Sequence, residues 1–250
     1  MSKTQVHAQI DGSHATITFS TDDGLNVLST DVLHSFGAAI ARVRKEPAVR
    51  TTVVEAKGKV FIAGADIREM ADFKPDDAHE YGTLGQTVMS DLASLPSITV
   101  AAIQGAAMGG GLEVALACDF RVAVKSAKLG LPEVTLGLIP GWGGVIRLAQ
   151  LIGPAKAKRI FLSAAPVSGE DALHLGFVDE IVNSPEDVAS RVAAFCKSFQ
   201  KAAPTSIALA KRAARDHDEL GAFVECFRNR DSREGMAAFL EKRPASWMES

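Results

Sequence analysis

Residues 98–124 read ITVAAIQGAAMGGGLEVALACDFRVAV. Residues 98–103 and 120–124 are strand-like, and between them lie a glycine-rich turn and a short apolar helix. Strand, glycine turn, helix and strand in that order predict an α/β protein whose helices cover its sheets. Gln104, Glu113 and Asp119 interrupt the window, so it fails as a membrane span.

The pattern extends in both directions. Upstream, residues 6–10 and 15–19 are strand-like and separated by Asp11-Gly12-Ser13, a good hairpin turn. Ser29 or Thr30 then caps a helix whose Val32, Leu33, Phe36, Ile40 and Val43 recur at helical spacing, and which stops before Pro47. Residues 49–55 read as a strand and residues 75–93 as a helix with Tyr81, Leu84, Val88 and Leu92 on one face. From about residue 145 the pattern becomes mostly helical. Ser168 caps residues 169–175 with Gly176 as the stop, and Ser184-Pro185-Glu186-Asp187 starts another helix. The last 55 residues are helical and charged, which by itself describes a solvated face.

A chain of 250 residues corresponds to between one and two domains and buries a core without metals or disulfides. With 30 acidic against 27 basic residues there is no positive excess to hold nucleic acid or anionic lipid. Three widely spaced cysteines, Cys118, Cys196 and Cys226, form neither a zinc motif nor a disulfide framework, which fits a reducing compartment. Cys118 reads as a small buried hydrophobe. The N-terminal stretch shows no targeting peptide. The expectation is a soluble cytoplasmic protein without a metal.

GxGxxG, Walker, GxSxG and HExxH patterns are missing from the sequence. Three glycine-centred segments remain: Phe61-Ile62-Ala63-Gly64-Ala65-Asp66-Ile67, Gly105 to Glu113, and Leu131 to Gly144. Glycines ahead of a helix leave unpaired N–H groups at its positive end, which suits an anion or a developing oxyanion. They equally permit tight packing of helix on sheet. Glu113 stands in the first turn of an apolar helix, where a carboxylate is costly to bury, although it also complements the helix dipole. Glu133 is a second carboxylate in apolar, turn-rich surroundings, open either to an exposed loop or to a site. Two such groups titrate as a coupled unit and divide acid and base roles.

In this order the three segments resemble the crotonase (enoyl-CoA hydratase/isomerase) superfamily, with similarity from Leu25-Asn26-Val27-Leu28 to the stretch 231–243. The resemblance implies a spiral of ββα units followed by a helical C-terminal region that builds trimers, often paired into hexamers. It divides the chain into a core over residues 1–195 and an oligomerisation region over residues 196–250. It implies an oxyanion hole made by the N–H groups of Ala65 and Gly110, with Glu113 and Glu133 as the catalytic pair and Gly141 positioning water. The expected reaction is hydration of trans-2-enoyl-CoA to 3-hydroxyacyl-CoA. Glu113 would take a proton from water and Glu133 would deliver one to Cα. Coenzyme A, part of the substrate rather than a cofactor, would lie against Leu25, Val27, Ala63, Asp66, Ile67 and Arg68. Phe239 and Lys242 would reach the coenzyme A site of a neighbouring subunit.

Isomerases of this family need only the residue matching Glu133, so double-bond isomerisation is the runner-up, together with a hydro-lyase for a branched, carnitinyl or aromatic-derived acyl group. Some crotonase-like proteins bind RNA, but the acidic balance and the lack of a Lys/Arg stripe with interleaved aromatics oppose that reading. Three departures stand out. Arg68 replaces a common Lys, Val145 replaces a common Thr, and Trp142 occupies a position that is often small. Residues 69–92 carry no signal of acyl-chain length.

Overall fold

A computed structural model describes residues 3–248. Twelve strands are assigned among them. The first six are β1 (Gln5–Asp11), β2 (His14–Ser20), β3 (Val27–Leu28), β4 (Thr51–Ala56), β5 (Val60–Ile62) and β6 (Gly64–Ala65). The others are β7 (Ile98–Ile103), β8 (Ala106–Met108), β9 (Phe120–Val124), β10 (Lys128–Gly130), β11 (Val167–Ser168) and β12 (Glu180–Val182). The main sheet has the order β1-β2-β4-β7-β9-β12, and only the β1–β2 hairpin within it is antiparallel. A second sheet runs β11-β10-β8-β5, and β3 pairs with β6 in a parallel two-stranded ladder. The family's α/β architecture, alternating strands and helices followed by a helical tail, is the observed one.

Eleven α-helices accompany the strands. They begin with α1 (Thr30–Arg44), α2 (Ile67–Met70), α3 (Pro75–Ala93), α4 (Gly110–Ala117), α5 (Gly144–Ile152) and α6 (Pro154–Ser163). They continue with α7 (Gly169–Leu175), α8 (Asp187–Lys197), α9 (Pro204–Asp216), α10 (Glu219–Cys226) and α11 (Arg230–Glu241). Ser29 caps α1 by accepting from the Val32 N–H, and the apolar stripe read from the sequence is its buried face. Phe36 from that stripe meets Phe19 of β2 edge-on, with ring centroids 4.9 Å apart. Each fully buried side chain of this kind stabilises the fold by about 1.5–3 kcal/mol.

β7 is buried on both faces, as expected of a central parallel strand. α4 is buried over its whole length and lies close against β5: a Cβ on Gly111 would overlap the Ile62 carbonyl. Packing therefore explains one of the three adjacent glycines. The region after residue 145 is not purely helical, because β11 and β12 interrupt it and β12 extends the main sheet beside β9. Two- and three-residue strands are too short to show a period of two, and sheet pairing forms them.

The apolar core runs through Cys196 and includes Cys118. A separate small cluster of Leu209, Ala213 and Ala222 sits between α9 and α10. Arg50 fastens the tail to the main sheet by donating to the carbonyls of Trp247 (2.7 Å), Gln200 (3.1 Å) and Ala202 (2.8 Å). Among the described residues no helix is long and apolar enough to cross a membrane, and no cluster of His, Cys, Asp and Glu suits a metal.

Candidate active site

Parallel pairing brings the three glycine-centred segments together. β8 lies between β5 and β10, in register Ile62↔Ala107 on one side and Leu129↔Ala107, Gly130↔Met108 on the other. The chain leaves all three strands in the same direction. The Ala63–Ala65 stretch, the start of α4 and the Pro132–Glu133 turn therefore emerge at one end of the sheet. The Gly109 N–H donates to Gly130 O at 2.9 Å and locks the last two together. Glu133 opens a one-turn 3-10 helix, Glu133–Leu136, that ends on Gly137.

The cavity at this end has a volume of about 400 Å³. Ala63, Gly64, Ala65 and Ile67 line one wall, Gly109, Gly110 and Glu113 another, and Glu133, Gly141 and Trp142 lie across from them. Gly110 is the first residue of α4, so its N–H has no acceptor one turn back. A Cβ at Gly110 would overlap the Trp142 ring, and one at Gly64 would sit 3.9 Å from the Gly110 nitrogen. The Ala63 and Asp66 N–H groups are occupied by Asn26 O (2.8 Å) and Leu28 O (3.1 Å), which places the Ala65 backbone between two fixed points on the cavity wall.

Glu113 is 2% exposed. Its Oε1 accepts from the backbone N–H groups of Trp142 (2.7 Å) and Gly144 (2.8 Å), where the chain turns into α5. Burial pushes the Glu113 carboxyl up to about 7. The two N–H donors and the Arg147 charge hold it down, and the Glu133 charge adds to the rise. Arg147 also donates to Trp142 O at 2.7 Å, which braces the peptide that lies between the two carrying those donors. Burial raises the Glu133 carboxyl as well, and its Oε2 is buried without a hydrogen-bond partner. Its Oε1 lies 3.0 Å from where a Cβ on Gly109 would stand. Two carboxyls of raised affinity for protons thus share one apolar chamber with the N-terminus of α4. Such a chamber favours proton transfer next to a developing oxyanion.

Ala63, Ala65, Ile67, Gly110, Glu113, Glu133 and Gly141 all line this cavity. The remaining residues expected to contact coenzyme A lie around it or far from it. Leu25 and Val27 do not line it; Val27 pairs with Gly64 of its wall and donates to Thr4 Oγ1 at 3.0 Å, and the Leu25 N–H donates to Asp23 Oδ1 at 3.1 Å. Asp66 caps α2 through the Arg68 N–H and pairs with the exposed Arg68 side chain at 3.4 Å. Phe239 is 82% exposed on α11, and Lys242 ends that helix. Neither is among the residues that line the cavity of their own chain.

Three features were not legible in the residues alone. The donors to Glu113 are the N–H groups of Trp142 and Gly144, beside the Gly141 expected to position water. Tyr81 donates to Leu28 O at 2.5 Å behind the Ala65 wall. Leu136, Leu138 and Ile139 form an exposed apolar rim. The Gly143-Gly144 step ahead of α5 was the only local sign of the first of these.

Comparisons with known proteins identify the family. The family profile described as Enoyl-CoA hydratase/isomerase matches residues 9–250. The crotonyl-CoA hydratase of Syntrophomonas wolfei is 36% identical over 245 residues, covering 94% of this chain and 94% of that protein. The mitochondrial methylglutaconyl-CoA hydratase of Mus musculus is 35% identical over 235 residues, covering 88% of this chain and 75% of that protein. The crystal structure of an enoyl-CoA hydratase from Bacillus anthracis superimposes with a TM-score of 0.89 at 29% identity, covering 98% of this chain and 100% of that one. Sequence profile, relatives and fold agree: the chain belongs to the enoyl-CoA hydratase/isomerase family, the crotonase superfamily.

Proposed function

We propose that this chain hydrates trans-2-enoyl-CoA to 3-hydroxyacyl-CoA. The observation that carries this reading is the pairing of a buried carboxyl, Glu113, with a half-buried one, Glu133, at the mouth of α4. Glu113 is held by two backbone donors, and Glu133 has a buried oxygen free to act. Deprotonated Glu113 takes a proton from water as the water oxygen bonds to Cβ. The Cα=Cβ electrons shift toward the thioester carbonyl, whose oxygen is held by the Ala65 and Gly110 N–H groups. Protonated Glu133 then gives its proton to Cα. One water is consumed, and the pair ends with the proton on the other carboxyl, from which solvent restores the starting state. Each oxyanion donor contributes about 3–4 kcal/mol to the transition state, and each proton transfer about 10²–10⁴-fold.

Double-bond isomerisation shuttles a proton with Glu133 alone. Such a reaction gives no reason to bury a second carboxyl at Glu113 and aim two N–H groups at it. Leu220, Phe223, Phe227, Phe239 and Leu240 are exposed apolar residues on and after α10, and they support assembly into a homotrimer or a homohexamer. In such an assembly Phe239 and Lys242 would reach the coenzyme A site of a neighbouring copy. Purified protein mixed with crotonyl-CoA is expected to lose enoyl absorbance and yield 3-hydroxybutyryl-CoA. Absence of turnover on every straight-chain enoyl-CoA would rule the reading out.

A further inference from the structure

One wall of the cavity is an aromatic row. Phe73, at the end of the α2 turn, meets Tyr81 of α3 edge-on at 5.4 Å, and Tyr81 meets Trp142 edge-on at 5.2 Å. The Trp142 indole is 3% exposed and wedged between two helices. A Cβ on Gly85 of α3 or on Gly110 of α4 would overlap it. The glycine at position 85 therefore makes room for this ring, and the ring fills the space between α3 and α4 beside Glu113. Tyr81 is pinned in turn by its bond to Leu28 O. Phe73 and Tyr81 also line a second hollow of about 340 Å³, which includes His34, Glu69, Asp77 and Glu80 as well as Leu84. Phe73 and Tyr81 thus stand between the apolar cavity and that hollow, while Trp142 lines the apolar cavity alone and closes the space between α3 and α4. Among the described residues, the only charged side chains lining the apolar cavity are Glu113 and Glu133. A second carboxylate on the acyl group would enter beside like charge with no partner there.

We infer that Trp142, seated on Gly85 and Tyr81, sets the acyl specificity of this site, which takes short, uncharged 2-enoyl thioesters. The inference rests on the hydration reading for the 2-enoyl part, whereas chain length and charge are read by binding alone. Isothermal titration of the whole protein with butyryl-, decanoyl- and glutaryl-CoA supplies that readout without turnover. Wild type is expected to bind butyryl-CoA more tightly than either of the others by about tenfold or more, the scale on which an apolar pocket senses methylenes. Trp142→Ala is expected to narrow the butyryl-to-decanoyl ratio by about tenfold, with Trp142→Phe in between. The phenylalanine variant keeps the wall filled and serves if the alanine variant fails to fold. Equal binding of butyryl- and decanoyl-CoA by wild type would overturn the inference. So would an unchanged ratio in a folded Trp142 variant. Preferential butyryl-CoA binding without hydration of crotonyl-CoA would instead remove the hydratase reading and with it the 2-enoyl part of this assignment.

Discussion

Glu113→Gln is expected to abolish hydration and, at the same time, to make the folded chain more stable at neutral and alkaline pH. Burial lifts the Glu113 carboxyl from its ordinary 4.5 to about 7 in the fold. An unfolded chain returns it to the ordinary value. Between these two values the folded state holds the proton and the unfolded state has lost it, so stability falls as pH rises. The cost is absent below the unfolded value and complete above the folded one. At about 1.4 kcal/mol per pH unit, ionised Glu113 in the fold costs on the order of 3 kcal/mol. The two backbone donors are already included in that net effect. A glutamine keeps a carbonyl oxygen for the Trp142 and Gly144 N–H groups and has no charge to bury. Urea unfolding from about pH 5 to pH 8, at one protein concentration so that assembly contributes equally, measures the difference. The gain of Glu113→Gln over wild type should grow with pH and level off at about 3 kcal/mol above neutrality. Wild-type and variant curves that run parallel, within about 0.5 kcal/mol, would refute the claim that Glu113 is held against its ionisation.

Gly110→Ala would drive a methyl into the Trp142 ring and shift both the Gly110 N–H and the Trp142 donor to Glu113. We expect kcat/KM to fall by about 10²–10³-fold, with a stability loss of about 1–3 kcal/mol from overpacking. Arg121 is 2% exposed, pairs with Asp179 at 3.1 Å and donates to the carbonyls of Phe177 (2.7 Å) and Cys118 (2.8 Å). Arg121→Met strips these partners at once and is expected to cost about 3–5 kcal/mol in thermal or urea unfolding, at a residue that does not line the acyl cavity.

Long elements were legible wherever a local signal agreed with packing. The Pro75 start, the Ser29 and Ser168 caps and the Gly176 stop all stand where residue chemistry puts them. The seven short strands β3, β5, β6, β8, β10, β11 and β12 were not, since two or three residues acquire strand geometry only from a partner. The glycines of residues 109–111 had two readings, and the structure distributes them: Gly111 serves packing against Ile62, while Gly110 opens the helix at the cavity. Glu113 and Glu133 were legible as carboxyls in apolar surroundings. Their joint placement depends on the β8–β10 register, which no local pattern encodes. The Trp142 and Gly144 donors were hidden for the same reason, because a backbone N–H has no letter in the sequence.

Division of labour between the two glutamates is the central claim, and deuterium oxide separates their roles. Wild type should incorporate deuterium at Cα of saturated butyryl-CoA and should hydrate crotonyl-CoA. Glu133→Gln should lose both activities by about 10²-fold or more, and Glu113→Gln should lose hydration by that factor while keeping Cα exchange. A Glu133→Gln variant that still exchanges, or a Glu113→Gln variant that still hydrates at a rate near wild type, would contradict it.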